Sequence, residues 1–303
     1  MAIRSEIETG QVVRGVLLLV AAILCFDVMS LIVRFLLPYY SAPELSAYRN
    51  VFGIIPSLAL MLWTGELRLR GTNLYIRNWP LAVARGLAVA MAQLCFYKAL
   101  AHLELATVSA LAQMNAMFVV LLSVVMLGEK VGPWRLTAVG LGFVGAMLIL
   151  RPGTDAFSVW ALMPMGAALF YSFMMVSVRK FDSDVSNALL FLYASLAAAV
   201  GAVVIAAATT EFTPLRGLAD TALILLMATL GGVGVLFMML AYRVAAPSVL
   251  APFTYFSILT AFFFGWVVFG EAPIDTLFPG VLLIVAAGAL IMWRENRASR
   301  LRG

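Results

Sequence analysis

The chain has 303 residues, of which 64% are hydrophobic and 12% charged, whereas a soluble domain carries roughly a quarter charged residues. That balance excludes a water-soluble globular fold. The net charge of +5 does not call for a nucleic-acid partner, because the lysines and arginines are dispersed over short loops and the C-terminus with no basic domain to hold them.

A polar leader runs to Gln11 and enters a full-length apolar run without the short core and small-residue cleavage site of a signal peptide. The first span is therefore expected to stay in the protein. A spanning helix needs about 20 mostly apolar residues, and lipid tolerates no open backbone. Apolar runs between Pro, Gly and charge punctuation predict ten spans, over residues 14–36, 44–64, 79–101, 104–127, 133–150, 157–179, 186–208, 219–243, 247–269 and 276–293. The divisions at His102–Glu104 and Ala245–Pro247 are so short that both must be tight hairpins.

Ionisable and polar groups inside these runs are the first candidates for function. In the first span Asp27 lies near mid-depth with Ser30 and Arg34 near its face. It either touches a substrate cation, relays a proton or forms a structural ion pair. In the third span Gln93 and Tyr97, four residues apart, form a polar and aromatic stripe with Gly86. Arg85 and Lys98 on the same helix read as an interface or loop partner and an outward-reaching cation.

The fourth span carries Ser109, Gln113 and Asn115. The last two differ by about 200° around a continuous helix, so only one can face an interior cavity. Gln113 is the choice, because Ser109 extends its stripe. In the sixth span Tyr171 and Ser172 stand at the depth of Phe26 and Asp27. In the ninth, Tyr255 answers to Gln113. Each of these groups has an alternative role in hydrogen bonding between helices. Gly231, Gly232 and Gly234 of the eighth span are read as a close-packing surface or a hinge.

Basic loop residues favour the cytoplasm. With the N-terminus inside, the inner side receives fourteen of the 20 lysines and arginines, and the outer half receives Arg34, Arg49, Lys98, Arg151 and Arg216. Both termini are expected to be cytoplasmic, and the loops at Thr72 and Gly153 to lie on opposite faces.

An internal repeat is also visible. Leu127-Gly128-Glu129 ends the fourth span and Phe269-Gly270-Glu271 the ninth. Gly145-Ala146-Met147-Leu148 aligns with Gly288-Ala289-Leu290-Ile291, and Val33-Arg34 with Val178-Arg179. Five spans per half reverse the polarity of the second half. The fold class expected is an all-α integral membrane protein of ten helices, in two inverted five-helix repeats (14–150 and 157–293) around a central cavity, within one membrane domain. A basic cytoplasmic tail follows at 294–303.

Gly128-Glu129 and Gly270-Glu271, each followed by a Gly-rich helix, make the chain resemble the ten-helix EamA-like exporters of the drug/metabolite transporter superfamily, in general character the YddG-type exporters of aromatic amino acids. That resemblance implies a gating or structural role for Glu129 and Glu271. Arg34 and Arg179, equivalent in the two halves and each in the last turn of its helix, read as structural anchors at the interface. Such families often place a proline midway through the helix ending in Gly-Glu. Here Asn115-Ala116 and Ser257-Ile258 take that place, and Pro252 is the proline left to bend the ninth span.

The function expected is a secondary transporter or facilitator exporting a small organic solute, with amino acids, aromatic or otherwise apolar, and related metabolites or drugs as the class. Asp27, Gln93, Tyr97, Gln113, Tyr171, Ser172 and Tyr255 are its candidate substrate contacts. The alternatives are a carrier for sugar- or nucleotide-linked metabolites or cationic drugs, and a channel-like protein. Catalysis is not expected, since His102 is the only histidine and stands at a hairpin, and Asp27 is the only mid-span carboxylate. Cys25 and Cys95 lie in apolar runs without metal-like spacing. No Gly-rich loop with a Gly-Lys-Ser/Thr ending is present. The expected setting is a bacterial inner membrane, with lipid and small solute as partners, no metal, no cofactor and a monomeric assembly.

Overall fold

A computed structural model of the chain describes residues 2–63, 75–129, 132–151, 158–182, 185, 187–245, 250 and 253–300. Among these residues the regular structure is helical throughout. We label the helices α1 (Ala2–Leu36), α2 (Ala42–Trp63), α3 (Trp79–Leu100), α4 (Leu105–Ala112), α5 (Asn115–Leu127), α6 (Pro133–Leu150), α7 (Leu162–Ser177), α8 (Asn187–Thr209), α9 (Leu218–Val244), α10 (Phe256–Phe269), α11 (Ile274–Leu277) and α12 (Gly280–Arg300).

Among the described residues six helical segments are long and apolar enough to cross a membrane: Gln11–Leu36, Trp79–Leu100, Leu105–Leu127, Val159–Lys180, Leu189–Thr209 and Leu218–Tyr242. Leu136–Leu150, Phe256–Phe269 and Gly280–Leu290 are shorter apolar helices. Leu17, Ile55, Val125, Val200, Leu259 and Trp266 stand exposed on the outer surface. An apolar exterior of this extent needs lipid against it. The chain is a multi-pass membrane protein.

Local chemistry fixes the helix ends. Pro80 and Pro133 occupy the first turns of α3 and α6, where a missing N–H costs nothing. Gly128 and Gly270 close α5 and α10 in the left-handed conformation, with φ of 67° and 70°. Glu129 N donates to Ser123 O and Glu271 N to Gly265 O, the six-to-one closure that favours glycine at this place. The two Gly-Glu signatures are thus the same helix stop used twice.

In the packing, α1 lies along α9, α3 against α7 and α8, α2 against α8 and α9, α5 against α7, and α10 against α1 and α4. α6 and α12 approach backbone to backbone. A Cβ on Gly145 would stand 2.7 Å from the Gly280 carbonyl, so glycine at these two positions sets the separation.

Three expectations change. The run 104–127 is interrupted: Gln113 and Met114 separate α4 from α5, and Gln113, Met114, Ala116 and Met117 each donate three residues back. The tightened turn satisfies its own N–H groups and needs no proline. The leader before Gln11 and the tail after 294 both continue the helices next to them, as far as Ala2 and Arg300. Finally Arg49, counted with the outer-side cations, lies seven positions inside α2, about 10 Å along the helix axis. Pro252, the Thr72 and Gly153 loops and the Pro247 end of the second hairpin lie outside the described residues.

Candidate functional site

The interior polar groups form two sets. In the first, Asn50 of α2 donates from its amide nitrogen to Gln93 Oε1 on α3 at 2.6 Å and to the Ser46 carbonyl at 2.8 Å. Its own amide oxygen accepts from Arg49 Nη1 at 3.3 Å. Gln93 is only 3% exposed, and the Tyr171 hydroxyl of α7 lies against it. Tyr97, buried on the same helix as Gln93, points its hydroxyl at Met29 Sδ of α1, 3.9 Å away. Arg49 stands within electrostatic range of Tyr97 and Tyr171. Four helices therefore meet through Met29, Asn50, Gln93, Tyr97 and Tyr171.

In the second set, Asp27 of α1 is 6% exposed and accepts a hydrogen bond from the Thr260 hydroxyl of α10. Ser30, expected beside it, bonds back to its own helix at the Phe26 carbonyl. Gln113 Nε2 donates to Ser257 Oγ at 2.8 Å and to the Thr254 carbonyl at 3.2 Å. The chain turns here at Tyr255, where Ile258 N bonds three residues back to Tyr255 O. A side chain from the first half thus caps the backbone of the second.

Ser172 Oγ, fully buried, bonds to the Asn115 carbonyl and side chain and to Ala168 O. Both Gln113 and Asn115 reach polar partners, Gln113 at Thr254 and Ser257 and Asn115 at Ser172 of α7. Tyr255 is different again: its hydroxyl is buried without a hydrogen-bond partner among the described residues and presses on the bare backbone of Gly288 in α12.

At one end of the bundle, Arg34 pairs with Glu271, its Nη1 donating to Oε2 at 3.0 Å and to the Leu103 carbonyl at 3.0 Å. Glu271 also accepts from Leu105 N at 3.3 Å. The end of α1, the α3–α4 turn and the end of α10 are fastened together. At the opposite end Arg179 pairs with Glu129. The first pair has 19% and 16% side-chain exposure and the second 58% and 33%, so the two ends are closed to different degrees.

Glu104, at the turn before α4, has its carboxyl raised above the usual range by burial first, with the Glu271 charge adding to this and Arg34 opposing it. On the same end a cleft of about 260 Å³ opens between Tyr40, Ser41, Lys98, His102 and Trp160. None of the seven sequence-predicted contacts lines it. Lys98 is exposed, and Arg85 is buried with Nε on the Met174 carbonyl at 3.2 Å and its guanidinium over Phe181.

Sequence reasoning missed Arg49, Asn50 and Thr260. Arg49 carries a signal, since it stands inside the apolar run 44–64, but the count of loop cations absorbs it. Thr260 carries none, because a lone threonine in an apolar helix has no pattern. Among the described residues no group of three or more His, Cys, Asp or Glu side chains is arranged to hold a metal.

The lipid-facing exterior, the polar groups shared between helices and the ion pairs at the two ends describe a multi-pass helical membrane protein. Residues 13–151 match the EamA-like transporter family. The chain is 29% identical to a pseudopaline exporter of Pseudomonas aeruginosa, over 91% of this chain and 95% of that protein. It is 29% identical to a riboflavin transporter of Brucella anthropi, over 84% and 88%, and 22% identical to an S-adenosylmethionine uptake transporter of Rickettsia bellii, over 84% and 85%. A protein crystal structure of 19% identity superposes with a TM-score of 0.62, covering 94% of this chain and 98% of that one, which is a likeness of fold alone. The matched family model is of EamA-like transporters, and the named relatives are transporters, not enzymes.

Proposed function

We propose that the chain exports a small organic solute across a bacterial inner membrane by alternating access, with amino acids and related metabolites as the solute class. The reading takes residues 14–150 and 157–293 as inverted five-helix repeats, both termini as cytoplasmic and the cavity as lying where the repeats meet.

The observation that carries it is the crosswise pairing of Arg34 with Glu271 and Arg179 with Glu129. Under the repeat alignment each arginine is the counterpart of the other, as is each glutamate. Every pair joins the first half to the second, and the pairs sit at opposite ends. Breaking one while keeping the other is what access from alternate sides requires. The unequal burial of the pairs supports a state closed on the Arg34 side.

Asp27, Gln93, Tyr97, Gln113, Tyr171, Ser172 and Tyr255 are proposed as the solute contacts. Their placement on α1, α3, α7 and the two interrupted stretches supports that role, since these elements meet across the halves. A second reading, a carrier for a larger heteroaromatic metabolite, is favoured by the riboflavin transporters among the relatives.

The test is counterflow in proteoliposomes holding the purified full-length protein, with labelled L-phenylalanine, L-leucine, riboflavin and S-adenosylmethionine as the panel. Saturable counterflow of an amino acid, faster from the face topologically equivalent to the cytoplasm, is the result expected. Flux that never saturates would mean a channel, and riboflavin counterflow without amino-acid counterflow would install the second reading.

A further inference from the structure

Arg34, Arg179 and Arg216 each meet a carboxylate, from Glu271, Glu129 and Asp220. Arg49, about 10 Å inside α2, meets none among the described residues. The guanidinium has five N–H donors, and its one hydrogen bond is the 3.3 Å contact from Nη1 to Asn50 Oδ1. Its Nε is buried with no acceptor. Glu44, the carboxylate nearest in sequence, is taken at both oxygens, by Ser41 N and Thr213 N. Asp27 is taken by Thr260.

A cation held about 10 Å inside a membrane helix without a counter-ion is costly, and such groups mark substrate paths. The surroundings hold it in place. Asn50 braces one edge and is itself fixed by Gln93 and Ser46. On the other side α9 makes room by having no side chain at Gly231: a Cβ there would stand 2.9 Å from Arg49 Nε and 3.3 Å from Nη2. Tyr97 and Tyr171 stand beside the charge. A planar, permanently charged fork with free donors matches the planar oxygen pair of a carboxylate, which it can hold through two parallel N–H···O bonds.

We propose that Arg49 is the anchor for a carboxylate on the transported solute, with Asn50 and Gln93 as its positioning residues and Gly231 as the opening that lets the guanidinium occupy its place. The assignment rests on the transporter reading above and adds to it the chemical class of the solute: a small carboxylic acid or zwitterion. The carboxylate completes the donor set that the protein leaves unfilled, and the aromatic rings of Tyr97 and Tyr171 supply a wall for the rest of the molecule.

The experiment compares binding of matched pairs, L-phenylalanine with L-phenylalaninamide and L-leucine with L-leucinamide, to the purified full-length protein in detergent. Wild type is expected to bind at least one acid tenfold or more tighter than its amide, and Arg49→Gln to lose that preference while the amide binds as before. Arg49→Lys, which keeps the charge without the fork, serves if the glutamine variant is not monodisperse, and should lose most of the preference. Gly231→Ala, which crowds Nε, should weaken acid binding more than amide binding. Equal binding of acid and amide, no binding of any probe, or a preference that survives at Arg49→Gln overturns the assignment. Counterflow present with no acid preference defeats the anchor alone, and acid preference without counterflow defeats the transport reading alone.

Discussion

Arg34 and Glu271 are 237 residues apart in sequence and form one ion pair that also holds the Leu103 carbonyl and the Leu105 amide. Removing one partner of a buried pair costs about 3–5 kcal/mol, and removing one from an exposed pair about 0.2–1 kcal/mol. Arg34→Gln should therefore lower the thermal midpoint in detergent several times more than Arg179→Gln. Equal shifts would mean that the two ends are held alike.

Glu104→Gln tests the electrostatics of the same end. Burial raises the Glu104 carboxyl, so its protonated form is the one the fold prefers. The stability it contributes is present at low pH and is lost as pH rises through its raised value. A glutamine, always neutral, should make the protein more stable than wild type near neutral pH, with the difference shrinking toward about pH 4. Thermal midpoints of the two proteins across that range measure it, and a constant offset would refute the assignment.

Gly288→Ala should be disruptive although alanine suits a helix. Its Cβ would fall on the Tyr255 ring and hydroxyl, and overpacking of this kind costs about 1–3 kcal/mol. Tyr255→Leu introduced with it should recover most of the loss. If the double variant is no more stable than Gly288→Ala, the ring is not the obstacle.

Gln113→Leu removes the donor to Ser257 and to the Thr254 carbonyl. Hydrogen bonds of this kind contribute about 0.5–1.5 kcal/mol each. Counterflow should slow at least tenfold, since this is where the two halves share a hydrogen bond. A variant of wild-type rate would take Gln113 out of the working site.

Much of the fold could be read because a membrane helix announces itself by length. The boundaries of α3, α6 and α9 follow Pro, Gly and charge, and the stops at Gly128 and Gly270 follow glycine chemistry alone. What the sequence hid depends on neighbours. Gln113 and Asn115 look mutually exclusive as cavity-facing groups on an ideal helix, and their separate partners, Ser257 and Ser172, appear only in the packed structure. Arg49 looks like one more cation near a loop until α2 is seen to begin at Ala42. Thr260 matters only because Asp27 faces it. Residue type and spacing locate the candidates, but their pairing across distant segments is a property of three dimensions.

The interruption between α4 and α5 is made without a proline. A pyrrolidine ring would fix the bend by removing a donor for good, whereas here Gln113, Met114, Ala116 and Met117 keep their amides and bond them within the turn. The bend is therefore a matter of hydrogen bonding rather than of covalent structure, and Met114→Pro should make it permanent.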